Sequence, residues 1–197
     1  MSTTQSKLDE LTQEIIDKNI CAELKAQATQ LVMGDGNPDA DIVFIGEAPG
    51  KNEDIQGKPF VGAAGKFLNE MLGAAAMDRS DVYITNIVKY RPPNNRDPLP
   101  QEKAEFWPYL LRQLQIINPK IVITLGRHSM EYFLPDMKIG DIHGRPQHIA
   151  VRYDNSDHEM MIMPLFHPAA ALYKRSLRQT LIDDFLKVPE VIKRLND

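Results

Sequence analysis

Only one cysteine, Cys21, occurs among the 197 residues of this chain, which excludes an internal disulfide and a metal site built from several thiolates of one chain. No apolar stretch is long enough to span a bilayer. The opening residues, MSTTQSKLDELTQEI, lack a basic segment followed by an apolar one, so the expected setting is the cytoplasm with no membrane attachment. Positive charge is in deficit: 23 Lys and Arg against 27 Asp and Glu give a net charge of −4. Indiscriminate coating of nucleic acid needs the opposite balance, because nonspecific DNA affinity comes from neutralising phosphates. Local basic strips remain open to such a chain. Lys89, Arg91 and Arg96 crowd one loop, and Lys174, Arg175 and Arg178 another, so two positive patches can sit on an acidic body.

What is present is the composition of an ordinary globular protein, 43% hydrophobic and 25% charged. The length predicts a single domain over residues 1–197, with residues 1–33 as a helical appendage packed on it. Leu8, Leu11, Ile15 and Ile16 recur at helical spacing over residues 7–19, with Ser6 placed to cap the start. Short β-branched runs at 41–46, 82–88 and 120–126 read as buried parallel strands. Each ends in a polar or glycine-containing loop and meets a helical stretch, at 63–76, 101–117 and 127–133. Runs at 147–153 and 158–164 flank turn-forming residues 154–157 and predict a hairpin; a last helix is expected over 176–195.

Strand, loop and helix in repetition predict a three-layer α/β/α sandwich around a central, mainly parallel four-stranded sheet. Right-handed crossovers then place the strand C-termini along one edge, where ligands bind in open α/β sheets. Four loops stand there: GEAPGKNED from Gly46, TNIVK running into RPPNNR, LGRH from Leu125, and FHPAA from Phe166. The first lacks the lysine and hydroxyl of a phosphate-binding loop, which disfavours nucleotide hydrolysis.

The stretches GEAPGKNEDIQGKPFVGAAGKFLNEML, YITNIVKYRPPNNRDPLPQE, LGR and PLFHPAAAL, in that order, resemble the motifs of family-four uracil-DNA glycosylases over about residues 34–173. The resemblance implies a DNA repair hydrolase that turns a nucleotide out of the stack and cuts its glycosidic bond, leaving an abasic site. Such a site must stack the base, read its edge, stabilise charge on the uracil O2 and deliver water to C1′.

By resemblance Phe60 is the stacking aromatic and Asn86 the base reader, whose carboxamide donates to O4 and accepts from N3–H. His167 supports the leaving uracil through O2, a hydrogen bond that strengthens as charge develops. Leu172 resembles the apolar wedge that fills the hole left by the flipped nucleotide. In the related family-one enzymes an aspartate of the first loop holds the water, but Ala48 stands here, beside Gly46 in the pocket wall. Glu47, Glu53 and Asn95 are the remaining polar candidates: Glu47 and Asn95 to orient water or fix the loop, Glu53 to crowd the C5 methyl of thymine. Lys89, Arg91, Arg96, Arg127 and Lys174 are the candidate DNA contacts. Bland readings stand beside these: a core phenylalanine for Phe60, a turn asparagine for Asn86, a structural histidine for His167, and solvated charges for the basic residues.

Family-four enzymes ordinarily hold a four-iron cluster through four cysteines. Here Tyr90 and Phe106 stand at the third and fourth positions, and the spacing places Cys21 off register, with Ala22 nearer the second ligand position. The expectation is therefore a monomer with no cofactor, in which Tyr90, Phe106 and Trp107 form an aromatic plug in place of the cluster. The partner implied is uracil-containing DNA. An inactive DNA-binding or interaction module on the same fold, and a glycosylase for another damaged base, are the alternative readings.

Overall fold

In chain order the computed structural model, which describes residues 3–153 and 156–196, opens with α1 (Thr4–Asp17), α2 (Ala22–Lys25) and β1 (Asp35–Gly36). There follow β2 (Ile42–Gly46), α3 (Lys51–Gln56), α4 (Ala63–Ala74), β3 (Tyr83–Asn86), α5 (Pro100–Ile117), β4 (Ile121–Leu125), α6 (Arg127–Met130) and α7 (Ile139–Ile142). The chain closes with β5 (Gln147–Tyr153), β6 (Ser156–Leu165), α8 (Pro168–Tyr173), α9 (Ser176–Phe185) and α10 (Val188–Asn196).

The sheet order is β1-β3-β2-β4-β6-β5. Its four inner strands are parallel, as expected for the runs at 41–46, 82–88 and 120–126, with the inner arm of the hairpin, β6, as the fourth. The sheet nevertheless has six strands, not four, because antiparallel β1 and β5 close its two edges. The strand β1 is two residues long, too short to show any periodicity. The β5–β6 hairpin is present, and of its expected turn at 154–157, residues 154–155 lie outside the described residues. Two further boundaries moved. Helix α1 is capped by Thr3, whose hydroxyl accepts from the Ser6 N–H, in place of Ser6 itself. The single helix expected over 176–195 breaks after Phe185 into α9 and α10.

Alternation along each strand divides the core between two faces. Val43 and Ile45 pack with Leu8, Leu11 and Ile15 of α1 and Phe106, Leu110 and Leu114 of α5. Ile42 and Phe44 pack with Phe67, Leu68 and Met71 of α4 and Phe185 of α9. Both faces are covered, which is why every residue of β2 is buried. From β2 the chain crosses to β3 on one side and later to β4 on the other. That reversal opens a crevice beyond the C-terminal ends of β2, β3 and β4, as the loop sequences predicted.

Candidate active site

The crevice is a cleft of about 380 Å³ whose lining includes Glu47, Ala48, Glu53, Phe60, Asn86, Asn95, Arg96 and His167. Gly46 lies beneath it: a Cβ there would fall 2.4 Å from Asn86 Oδ1 and 2.6 Å from Phe60 Cζ. Only a residue without a side chain lets ring and carboxamide share that space. Phe60 is buried and has a left-handed backbone, φ 51°, a conformation costly for an aromatic residue. Arg79 pins the turn by donating to Pro59 O at 2.6 Å and Phe60 O at 3.2 Å. The close approach of Gly65 to Phe60 O packs the turn against α4.

His167 caps α8, and its ring centroid lies 5.7 Å from that of Phe60. Nδ1 accepts from the Ala169 N–H at 3.1 Å, so in the neutral ring the proton sits on Nε2, which is left to donate. Burial, with a smaller contribution from His128, pulls its pKa down to about 4. Asn86 ends β3 directly opposite Gly46. It is buried, and among the described residues its carboxamide makes no hydrogen bond.

Glu47 is only partly enclosed, and its Oε1 accepts no hydrogen bond among the described residues. Lys103 Nζ and His128 Nδ1 each lie 3.7 Å from it. Burial raises the Glu47 pKa, against the pull of His128 and Lys103. Asp97 Oδ2 lies 3.6 Å from His128 Nε2. The ligand atoms of Glu47, Asp97 and His128 come within 4.8 Å of one another, but Lys103 already supplies a counter-charge there. Glu53 lines the cleft while its Oε1 accepts from the N–H groups of Val61 and Gly62, at 2.9 and 2.8 Å. It is thus a clasp on the Phe60 turn. Asn95 Oδ1 accepts from Arg91 Nε at 2.7 Å, which ties the RPPNNR loop to itself.

The basic candidates divide. Arg127, Leu172 and Lys174 are exposed, and Arg91 is half-buried. Arg96 reaches the cleft but makes a bidentate pair with Glu102, at 2.5 and 2.9 Å. Lys89 is corrected: it is fully buried inside the protein and offers no charge to a phosphate. Sequence reasoning missed Lys103, Asp97 and His128 as neighbours of Glu47. His128 alone carried a signal, standing directly after the Leu-Gly-Arg strand end.

The cluster position is filled otherwise. Cys21, Tyr90 and Phe106 are buried in one core cluster, with Tyr90 and Phe106 ring centroids 5.9 Å apart and Trp107 packed at its margin. Cys21 is the residue that packs inward, and Ala22 is exposed. One thiol among aromatic rings does not fit an iron–sulfur cluster, which needs several thiolates.

The cleft of this α/β sheet thus joins a positioned aromatic, a carboxamide and a buried histidine, groups suited to holding a planar, hydrogen-bonding ring. The uracil DNA glycosylase superfamily profile matches residues 33–188, and the chain belongs to that superfamily. It is 44% identical to the type-4 uracil-DNA glycosylase of Sulfurisphaera tokodaii, over 93% of this chain and 84% of the relative. It is 49% identical to that of Saccharolobus solfataricus, over 82% and 76%. With that of Thermotoga maritima it shares 40% over 97% and 98%.

Proposed function

We propose that this protein excises uracil from DNA by hydrolysing its glycosidic bond, leaving an abasic site. The observation that carries this reading is the convergence of Phe60, Asn86 and His167 in one cleft, with the histidine's Nδ1 taken by its cap bond and its Nε2 without a partner among the described residues. The type-4 uracil-DNA glycosylase names of relatives that align with most of the chain support it.

In this reading the flipped base stacks on Phe60, and Asn86 donates to O4 and accepts from N3–H. His167 Nε2–H meets O2 as the bond to C1′ stretches and charge flows into the uracil. Glu47, with its unengaged Oε1, orients water toward C1′. Asn95 holds the adjoining loop, and Glu53 keeps the Phe60 turn and the pocket wall in place. Gly46 and Ala48 let the base approach closely. Leu172 enters the vacated stack, while Arg91, Arg127 and Lys174 meet phosphates; Arg96 serves mainly to anchor its loop through Glu102. The protein acts as a cytoplasmic monomer and needs no metal or organic cofactor.

The test is incubation with uracil-containing single- and double-stranded oligonucleotides, followed by alkaline cleavage at abasic sites. Cleaved product is expected from uracil substrates and not from cytosine controls. Binding without cleavage would mark an inactive module. His167→Ala is expected to slow single-turnover excision about a hundred- to thousandfold, or roughly 2.7–4 kcal/mol, with DNA binding nearly unchanged. Excision at the wild-type rate would reject the leaving-group role.

A further inference from the structure

Lys89 is completely buried, a rare place for a lysine. Its Nζ donates to Thr85 Oγ1 at 2.6 Å, to Gln113 Oε1 at 2.6 Å and to the main-chain carbonyl of Asn86 at 2.8 Å. All three partners turn acceptor oxygens toward the amine, and none of them is a carboxylate. The acceptors are themselves held. Thr85 Oγ1 donates to Met33 O at 2.7 Å, leaving lone pairs toward the amine. Gln113 Nε2 donates to Met33 O at 3.0 Å and to Tyr83 Oη at 3.1 Å, which turns Oε1 toward Lys89.

Burial draws the amine well below the usual lysine range, so a desolvation cost is borne with no ion pair to offset it. Methionine would fill the same space without that cost. What the lysine adds is direction at one peptide. The N–H of that same peptide, from Ile87, donates to Gly46 O, and the next N–H, from Val88, to Glu47 O, each at 3.0 Å, while Lys89 holds the peptide's other side, the Asn86 carbonyl. The Asn86 carboxamide has no hydrogen-bond partner of its own among the described residues, and its Oδ1 lies hard against Gly46. Its aim is therefore set by its backbone and by the walls around it.

We propose that Lys89 is a positioning residue for uracil recognition: clamped by Thr85 and Gln113, its amine fixes the Asn86 peptide and so aims the carboxamide that reads the base. This rests on the assignment of Asn86 to the uracil edge.

Lys89→Met keeps the length of the side chain and removes its donors. Single-turnover excision, inhibition by free uracil, binding to abasic-site DNA and thermal melting are measured for wild type, Lys89→Met, Asn86→Ala and the double variant. Lys89→Met is expected to lose about ten- to a hundredfold in excision and to weaken uracil inhibition, with abasic-DNA binding within about twofold. The double variant should be no slower than Asn86→Ala, because nothing then remains to be positioned. Losses that multiply in the double variant, or wild-type excision by Lys89→Met, overturn the proposal. Wild-type excision by Asn86→Ala instead overturns the reading of Asn86, and the proposal with it. Should Lys89→Met fail to fold, Gln113→Met removes one of the amine's anchors. It should slow excision by a smaller factor in the wild-type background and not at all in the Asn86→Ala background; an unchanged rate in the first, or a loss in the second, overturns the proposal.

Discussion

At the scale of single residues, one physical force acts on Glu47 and His167 of the cleft in opposite directions. Burial raises the pKa of Glu47 and lowers that of His167 to about 4, each toward its neutral form. The signs separate their contributions to a pH profile. His167 stays neutral, with Nδ1 able to accept its cap bond, down to about pH 4. Glu47 takes up its proton at a higher pH than an ordinary glutamate, so its carboxylate is lost first as the solution is acidified. Single-turnover excision should therefore fall with decreasing pH through the raised Glu47 pKa, and Glu47→Gln should be slower with that limb missing. A limb that persists unchanged in Glu47→Gln would remove the glutamate from water activation. The residue types at these positions were legible in sequence, while the pKa shifts were not: Lys103 and His128 approach Glu47 from distant elements, α5 and α6.

At the scale of elements, α1, α2 and α5 are tied by packing. Phe106 of α5 is fully buried, its ring centroid 5.9 Å from that of Tyr90, in a cluster that takes in Leu8, Leu11 and Cys21. Arg112 of α5 adds a salt bridge to Glu14 of α1 at 2.8 Å, a half-exposed pair that contributes little by itself. Phe106→Ala is expected to destabilise the protein by about 3–5 kcal/mol in chemical denaturation. A loss of a few tenths of a kcal/mol would show that the aromatic plug does not carry this junction. The long helices α1, α4 and α5 and the inner strands were legible from periodicity because each buries an apolar stripe or two apolar faces, whereas the short helices α2, α3, α7 and α8 have too few turns to show a period. The edge strand β1 was not, since two residues have no period and owe their pairing to β3.

For the whole molecule, an acidic chain exposes Arg127 directly after β4, and Lys174 and Arg175 directly after α8, local positive charge that net charge conceals. The other global feature is the thiol count. With one cysteine, buried and bonded to Glu102 O at 3.5 Å, the chain cannot by itself furnish the ligands of an iron–sulfur cluster. Metal analysis of protein purified without added iron is expected to find no stoichiometric iron and no acid-labile sulfide. Both present in whole-number ratio would reject this expectation and imply ligands shared between chains.

The order of the long helices and inner strands, and the loops that meet at the strand ends, were determined by the sequence itself, because hydrophobic period and loop chemistry are local properties. Tertiary structure alone decided where charges ended up. Lys89 looked like one more cation in a basic loop beside Arg91 and Arg96, yet the tight turn after β3 carries it inward onto Thr85, Asn86 and Gln113. Arg96 is claimed by Glu102, and Glu53 by the turn that holds Phe60. Each of these depends on which polar groups folding brings within reach, and on how much water it leaves around them.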